Sequence, residues 1–76
     1  MEKITQQYAY SELLRLFNQN ASDEKIANLA FDFLYAWSKD NSLESRNIIY
    51  DLALIGEPGM ELTRNDIKEL IDSLVE

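Results

Sequence analysis

Apolar residues dominate the stretch at residues 26–37, IANLAFDFLYAW, in which only Asn28 and Asp32 are polar. Residues four apart share one face of a helix, so these two predict a helix that neighbours cover on most sides, with one narrow polar strip. The residues along that strip are Lys25, Asn28, Asp32, Tyr35 and Lys39. The stretch is too short to cross a bilayer, which needs about 20 apolar residues. The pattern therefore predicts a helix at the centre of a packed core.

Hydrophobic spacing and capping residues predict helices on both sides of this stretch. Leu13, Leu14 and Phe17 recur at helical spacing in the first segment. Ser22 is a favoured N-cap for the second helix, and Asp23 and Glu24 suit its first turn. Thr63 followed by Asp66 predicts a capping box at the start of the last helix. The predicted helices cover about residues 4–19, 23–39, 43–55 and 64–75.

The third segment is where helix and strand compete. Its sequence IIYDLALI, at residues 48–55, is rich in residues that favour strands. Asn41 followed by Glu44 resembles a capping box, and the chain has no second strand candidate, so a helix is favoured. After it, Gly56 suits the C′ position of a helix, and Pro58 with Gly59 suits the centre of a type II turn.

Short connections between successive helices predict antiparallel packing. We therefore expect an all-α fold, a compact antiparallel four-helix bundle, and a single domain over residues 1–76.

The chain contains no cysteine and no histidine. This excludes thiol nucleophiles, disulfides, thiolate or imidazole metal sites and the usual general base. We predict a protein that is not an enzyme and binds no cofactor or metal. No segment reads as a signal peptide or a membrane span, so a cytoplasmic location is expected.

Fourteen acidic residues against seven basic ones give the chain a net charge of −7. Such a charge repels nucleic acid and anionic membranes, and it favours a basic protein as partner. The commoner explanation is that the charge keeps a small protein soluble.

Asp32 is the one candidate general acid or base, because its neighbours Phe31 and Phe33 could desolvate it and raise its pKa. A carboxylate on the solvent strip beside Asn28 is the favoured alternative, since no second catalytic group is in view.

Acidic side chains are concentrated in the final third of the chain, against only Arg64 and Lys68. A basic protein surface would relieve their mutual repulsion. Tyr8 and Tyr35 are the aromatic residues expected to be exposed, and tyrosine is enriched at binding hot spots. The predicted protein-binding residues are Glu57, Glu61, Asp66, Glu69, Asp72, Glu76 and Tyr35. An ordinary solvated helix face, with Lys68 paired to Asp72, is the alternative and the commoner explanation.

Three stretches, YSELLRLF, LAFDFLYAW and ELTRNDIKELIDSL, follow one another in an order that resembles the small helical immunity proteins of tRNA-cleaving bacterial toxins, the colicin D immunity type. The resemblance implies a stoichiometric bacterial inhibitor whose carboxylates mimic nucleic-acid phosphates over a basic active site. The chain departs from that pattern in its short GEPG connection at residues 56–59, where a longer acidic segment is expected. No residue of the inhibitory surface is therefore carried over from the family.

The leading hypothesis is a non-enzymatic binding protein that neutralises a basic toxin or nuclease. The alternative is a structural or adaptor subunit that acts as a homodimer or within a larger assembly.

Overall fold

The computed structural model describes residues 3–55, 57, 59 and 62–75. These residues form four helices and no strand: α1 (Gln6–Asn18), α2 (Asp23–Tyr35), α3 (Leu43–Ala53) and α4 (Arg64–Ser73). The principal helix contacts run in a ring from α1 to α2, α3, α4 and back to α1, and the contact between α2 and α3 is the most extensive. The predicted all-α four-helix bundle is confirmed. Its radius of gyration of 11.3 Å agrees with the value of about 11 Å expected for a folded chain of this length.

Each helix contributes an apolar stripe to one buried core. The core consists of Ala9, Leu13, Ile26, Ala30, Phe33, Ile49, Leu52, Ile67, Ile71 and Leu74. Burying a side chain of the size of Leu or Ile stabilises the fold by about 1.5–3 kcal/mol. α2 supplies more buried residues than any other described helix, because it packs between α1 and α3. The prediction that this helix organises the core is confirmed.

A hydroxyl side chain caps the N-terminus of every described helix. Thr5, Ser22, Ser42 and Thr63 each accept a hydrogen bond from the backbone N–H three residues later, at 3.1–3.2 Å. The predicted box of Thr63 with Asp66 is present in full. The capping box predicted for α3 from Asn41 and Glu44 is wrong, because Ser42 is the N-cap of this helix.

A parallel bridge between Ile4 and Trp37 moves two predicted helix boundaries. Ile4 N–H donates to the Ala36 carbonyl at 2.7 Å, and Ser38 N–H donates to the Ile4 carbonyl at 3.0 Å. These backbone groups bond across the molecule instead of along a helix. The first helix therefore begins two residues later than predicted, and the second ends four residues earlier.

Two amide side chains hold this junction together. Asn41 Nδ2 donates to the Ile4 carbonyl at 2.8 Å, and Asn41 Oδ1 accepts from Gln6 N–H at 3.2 Å. Gln6 Oε1 accepts from Ser42 N–H at 2.8 Å, and Gln6 Nε2 donates to the Leu74 carbonyl at 2.8 Å. Gln6 and Asn41 thus tie the N-terminal segment, the α2–α3 connection and the end of α4 together. Asn41 cannot cap α3 because its side chain is engaged here.

Residues with positive φ shape the two remaining connections, α1–α2 and α3–α4. Asn20 is left-handed at φ 59°, and the hydrogen bonds of the α1 exit, Asn20 N–H to Phe17 and Ala21 N–H to Leu16, are those of a Schellman motif. Gly59 has φ 88°, as the predicted type II turn requires. Gly56 and Pro58 lie outside the described residues. α3 and α4 each end two residues earlier than predicted.

Candidate protein-binding surfaces

A groove between α3 and α4 is lined by three acidic residues. Asp51 of α3 lines it with Asp66 and Glu69 of α4, and Leu62 and Leu70 contribute apolar side chains. Ser73 completes the described lining, and the groove has a volume of about 470 Å³. None of its described lining residues is basic. We call these six residues the acidic groove.

The geometry of the acidic groove follows from the periodicity of α4. Asp66, Glu69 and Ser73 follow one another at spacings of three and four, which places them on one helix face. The Asp66 carboxylate is anchored, since its Oδ2 accepts from Thr63 N–H at 3.1 Å. The Ser73 hydroxyl donates to the Glu69 carbonyl at 2.8 Å. The groove is therefore mainly helix surface, and of its described lining only Leu62 comes from the connection before α4.

Ion pairs elsewhere engage both cations of α4. Lys68 Nζ lies 2.7 Å from Asp72 Oδ2, and this predicted pair is confirmed. Arg64 Nη1 lies 2.7 Å from Asp23 Oδ1, and the Arg64 guanidinium stacks 4.5 Å from the centre of the Phe17 ring. Neither cation is among the residues that line the acidic groove.

A second intrahelical ion pair lies on α1. Arg15 Nη2 lies 3.0 Å from Glu12 Oε1. The hydrogen bond to this carboxylate, together with its charge, raises the pKa of Arg15.

The predicted binding residues do not form one surface. Asp66 and Glu69 share the acidic groove. Asp72 is paired with Lys68 instead, and Glu57 is exposed in the α3–α4 connection. Tyr35 belongs to α2, and Glu61 and Glu76 lie outside the described residues.

Asp51 is the one carboxylate of the acidic groove that was not among the predicted binding residues. Its signal in the sequence is that it is the single charged residue of IIYDLALI. Spacing alone could not reveal that it lies against α4.

Tyr35 lies on a second surface, at the end of α2. It is 80% exposed, and its ring meets the Phe31 ring edge-on with centroids 5.2 Å apart. Phe31 is itself 49% exposed. With Leu34, these rings line an apolar groove of about 220 Å³. The predicted exposure of Tyr35 is confirmed, whereas a helix covered on nearly all sides would have buried Phe31.

The apolar surface continues from α2 onto the start of α3. Leu34 also lines a neighbouring groove of about 340 Å³ with Trp37 and Leu43, and Leu43 is 72% exposed. Lys39 and Arg46 line the same groove and give it a basic rim. We call the five apolar residues the aromatic face: Phe31, Leu34, Tyr35, Trp37 and Leu43.

The remaining candidate, Asp32, lies on an exposed face of α2. Asp32 and Asn28 are both exposed on the solvent strip of α2. This agrees with the favoured interpretation of Asp32 as a solvent-facing carboxylate. Across the described ranges, no three acidic side chains cluster closely enough to hold a metal ion. None of the helices in the described part of the chain has both the length and the apolar content to cross a membrane.

Comparison with known proteins returned no relative: no protein-family model, curated protein or solved structure matches the chain. The resemblance to immunity proteins stays a prediction that rests on the three stretches quoted above. The physical character of the two surfaces therefore carries the functional argument.

Proposed function

We propose that this chain is a non-enzymatic inhibitor that neutralises a basic protein, a toxin or nuclease, by binding it through the acidic groove. One observation carries the proposal: Asp51, Asp66 and Glu69 line a groove that also offers Leu62 and Leu70 and has no basic residue in its described lining. A lysine or arginine side chain fits such a groove, because its stem packs on apolar surface while its charged end meets carboxylates. A nuclease presents such cations where it holds phosphates.

The charge of the whole chain favours fast capture of a basic partner. A net charge of −7 attracts a cationic surface over about a Debye length, roughly 8 Å at physiological ionic strength. Electrostatic attraction of this kind raises association rates and makes them fall with salt. We therefore expect binding that weakens steeply as the salt concentration rises.

The position of the groove carboxylates on packed helices favours affinity as well. Asp66 is held by the capping box, and Asp51 and Glu69 project from helices that are anchored in the core. Little conformational entropy is lost when such residues bind, and preorganised surfaces bind more tightly for that reason. The proposal includes a bacterial, cytoplasmic setting, which the resemblance to immunity proteins supports.

A pull-down from a lysate of the source organism at low salt tests the proposal. The bait is the full chain, and the control bait carries Asp51→Asn with Glu69→Gln. A second control, Asp40→Asn with Glu44→Gln, removes the same charge from two exposed residues outside the groove. We expect the native bait and the second control to retain one basic protein, which mass spectrometry identifies, and the groove variant to lose it.

The retained protein must then be inhibited. Titration of the chain into its nuclease or toxin assay should reach full inhibition at one molecule per molecule. Retention that is equal for all three baits, or a retained protein that keeps its full activity, would contradict the proposal.

A further inference from the structure

The aromatic face leaves three large apolar side chains open to solvent. Phe31, Tyr35 and Leu43 are 49%, 80% and 72% exposed. Together they expose on the order of 400 Å² of surface, the size at which a patch on a small protein is often a contact site. Aromatic residues with this exposure are also typical anchors of protein interfaces.

The basic partner of the proposed function does not suit this surface. Lys39 and Arg46 line the groove beside it, and no salt bridge engages either of them within the described part of the chain. A surface with apolar side chains and an acidic group would complement the aromatic face and its basic rim.

One exposed face of α2 carries both an acidic residue and apolar residues, at opposite ends of the helix. Glu24, Asn28, Phe31 and Tyr35 are exposed and follow one another at spacings of four, three and four, so they lie along one helix face. This face runs from an acidic end to an apolar end, and the exposed Lys39 comes shortly after it. If a second copy lies antiparallel to the first, the acidic end of its α2 comes to the basic rim of the first copy.

We infer that a second copy of this chain binds the aromatic face, with α2 packed antiparallel against α2 of the partner. Glu24 lies at the start of α2, and Lys39 lies in the turn four residues after its last residue. A two-fold axis beside Phe31 therefore brings Glu24 of each copy to the Lys39 end of the other.

The same arrangement satisfies further requirements of a symmetric contact. Asn28 precedes Phe31 by three residues and Tyr35 follows Asp32 by three, so the axis also places the Asn28 amide near the Tyr35 of the other copy. A two-fold contact of this kind is isologous and closes at the dimer. Antiparallel helices also oppose their dipoles favourably.

The size of the surface sets the strength of the dimer. A standard interface buries about 800 Å² on each partner, and the chain exposes 5150 Å² in total. The apolar side chains supply about half of a standard interface, so we expect a weak dimer with a dissociation constant of roughly tens of micromolar. The charge of −7 on each copy opposes association at low ionic strength, and moderate salt screens this repulsion.

Sedimentation velocity tests whether the dimer forms. The pure protein is measured at concentrations from about 10 µM to about 1 mM, in roughly 0.15 M salt. We expect the sedimentation coefficient to rise with concentration to the value of a dimer and to go no further. A strict monomer at the highest concentration would overturn the inference.

Tyr35→Glu tests the surface, because it places a carboxylate on the aromatic face at a residue that is 80% exposed. Ser11→Glu is the matched control, since it adds the same charge to an exposed residue of α1. We expect Tyr35→Glu to weaken the dimer at least about 20-fold while the control stays within about twofold. Circular dichroism checks that both variants keep the native helix content. A dimer that survives Tyr35→Glu unchanged would show that another surface associates.

A charge exchange tests the antiparallel arrangement. Glu24→Lys alone and Lys39→Glu alone should each weaken the dimer about tenfold, because like charges then meet at both symmetric contacts. The chain that carries both changes keeps the native net charge and restores the opposite-charge contact. Recovery to within about threefold of the native affinity is expected, and additive weakening in the double variant would refute the arrangement.

Discussion

The acidic groove and the aromatic face differ in chemistry and in what holds them in place. The groove takes most of its residues from α4 and one from α3, and a local capping box anchors Asp66. The aromatic face joins the end of α2 to the start of α3. Its connection is held by Gln6 and Asn41 through contacts that span 35 residues or more of sequence.

The difference separates two modes of association on one small chain. Binding at the groove depends on charge and should weaken with salt. Binding at the aromatic face depends mainly on apolar burial and tolerates salt. The two surfaces use different residues, so a variant of one should leave the other intact.

The largest expected effect on affinity comes from measuring each surface variant in both association assays, with the basic partner and with a second copy. Asp51→Asn with Glu69→Gln should reduce affinity for the basic partner about 100-fold, because each close charge pair at an interface contributes about 1.5 kcal/mol or more. The same variant should sediment like the native chain. Tyr35→Glu should show the reverse pattern. Calorimetric titration and sedimentation measure the two associations, and a single variant that abolishes both would show that the surfaces are coupled.

Asn41→Ala should have the next largest effect. It removes two hydrogen bonds and leaves the Ile4 carbonyl and Gln6 N–H without their partner, at a cost of about 2–3 kcal/mol in the free energy of unfolding. Dimerisation should weaken too, because the connection that carries Trp37 and Lys39 loses its tether. Urea unfolding measures the stability, with the exposed Asn47→Ala as control. Equal stability losses in the two variants would mean that the amide network contributes nothing.

Thr63→Ala is the corresponding change on the side of the acidic groove. It removes the cap of α4 and the hydroxyl that pairs with Asp66 N–H, so stability should fall by about 1 kcal/mol. Binding of the basic partner should weaken severalfold, while the dimer is unaffected. Thr63→Ser retains the cap and should restore both properties. If the serine variant is as unstable as the alanine variant, the cap is not the cause.

The smallest effect is expected at Asn20, which lies on neither surface. Its φ of 59° is left-handed, where glycine has no steric penalty, so Asn20→Gly should raise the free energy of unfolding by up to about 0.5 kcal/mol. Both associations should remain native. Asn18→Gly, at the last residue of α1, should instead lower stability by up to about 1 kcal/mol. A urea titration of the two variants measures both changes in stability, which should leave association unchanged. A stabilised Asn18→Gly variant would contradict the assignment of the helix end.

Several features with short sequence spacing were predictable, although the Thr5 cap of α1 was missed. The caps at Ser22 and Thr63 and the pairs Glu12–Arg15 and Lys68–Asp72 join residues at most four apart, and helix geometry alone brings such residues together. The role of Asn41 was not predictable, because its partners Ile4 and Gln6 are more than 30 residues away.

The sequence by itself determined the number of helices, two of their four caps and the absence of thiol and imidazole chemistry. Hydrophobic periodicity predicts the other helices, whereas the third also needed the lack of a second strand candidate, and composition excludes the chemistry. The tertiary structure decided which apolar residues of α2 remain exposed. α2 has principal neighbours only in α1 and α3, and they bury Phe33 while they leave Phe31 and Tyr35 open. Periodicity reports how wide the apolar surface of a helix is, whereas only the packing of its neighbours decides how much of that surface is covered.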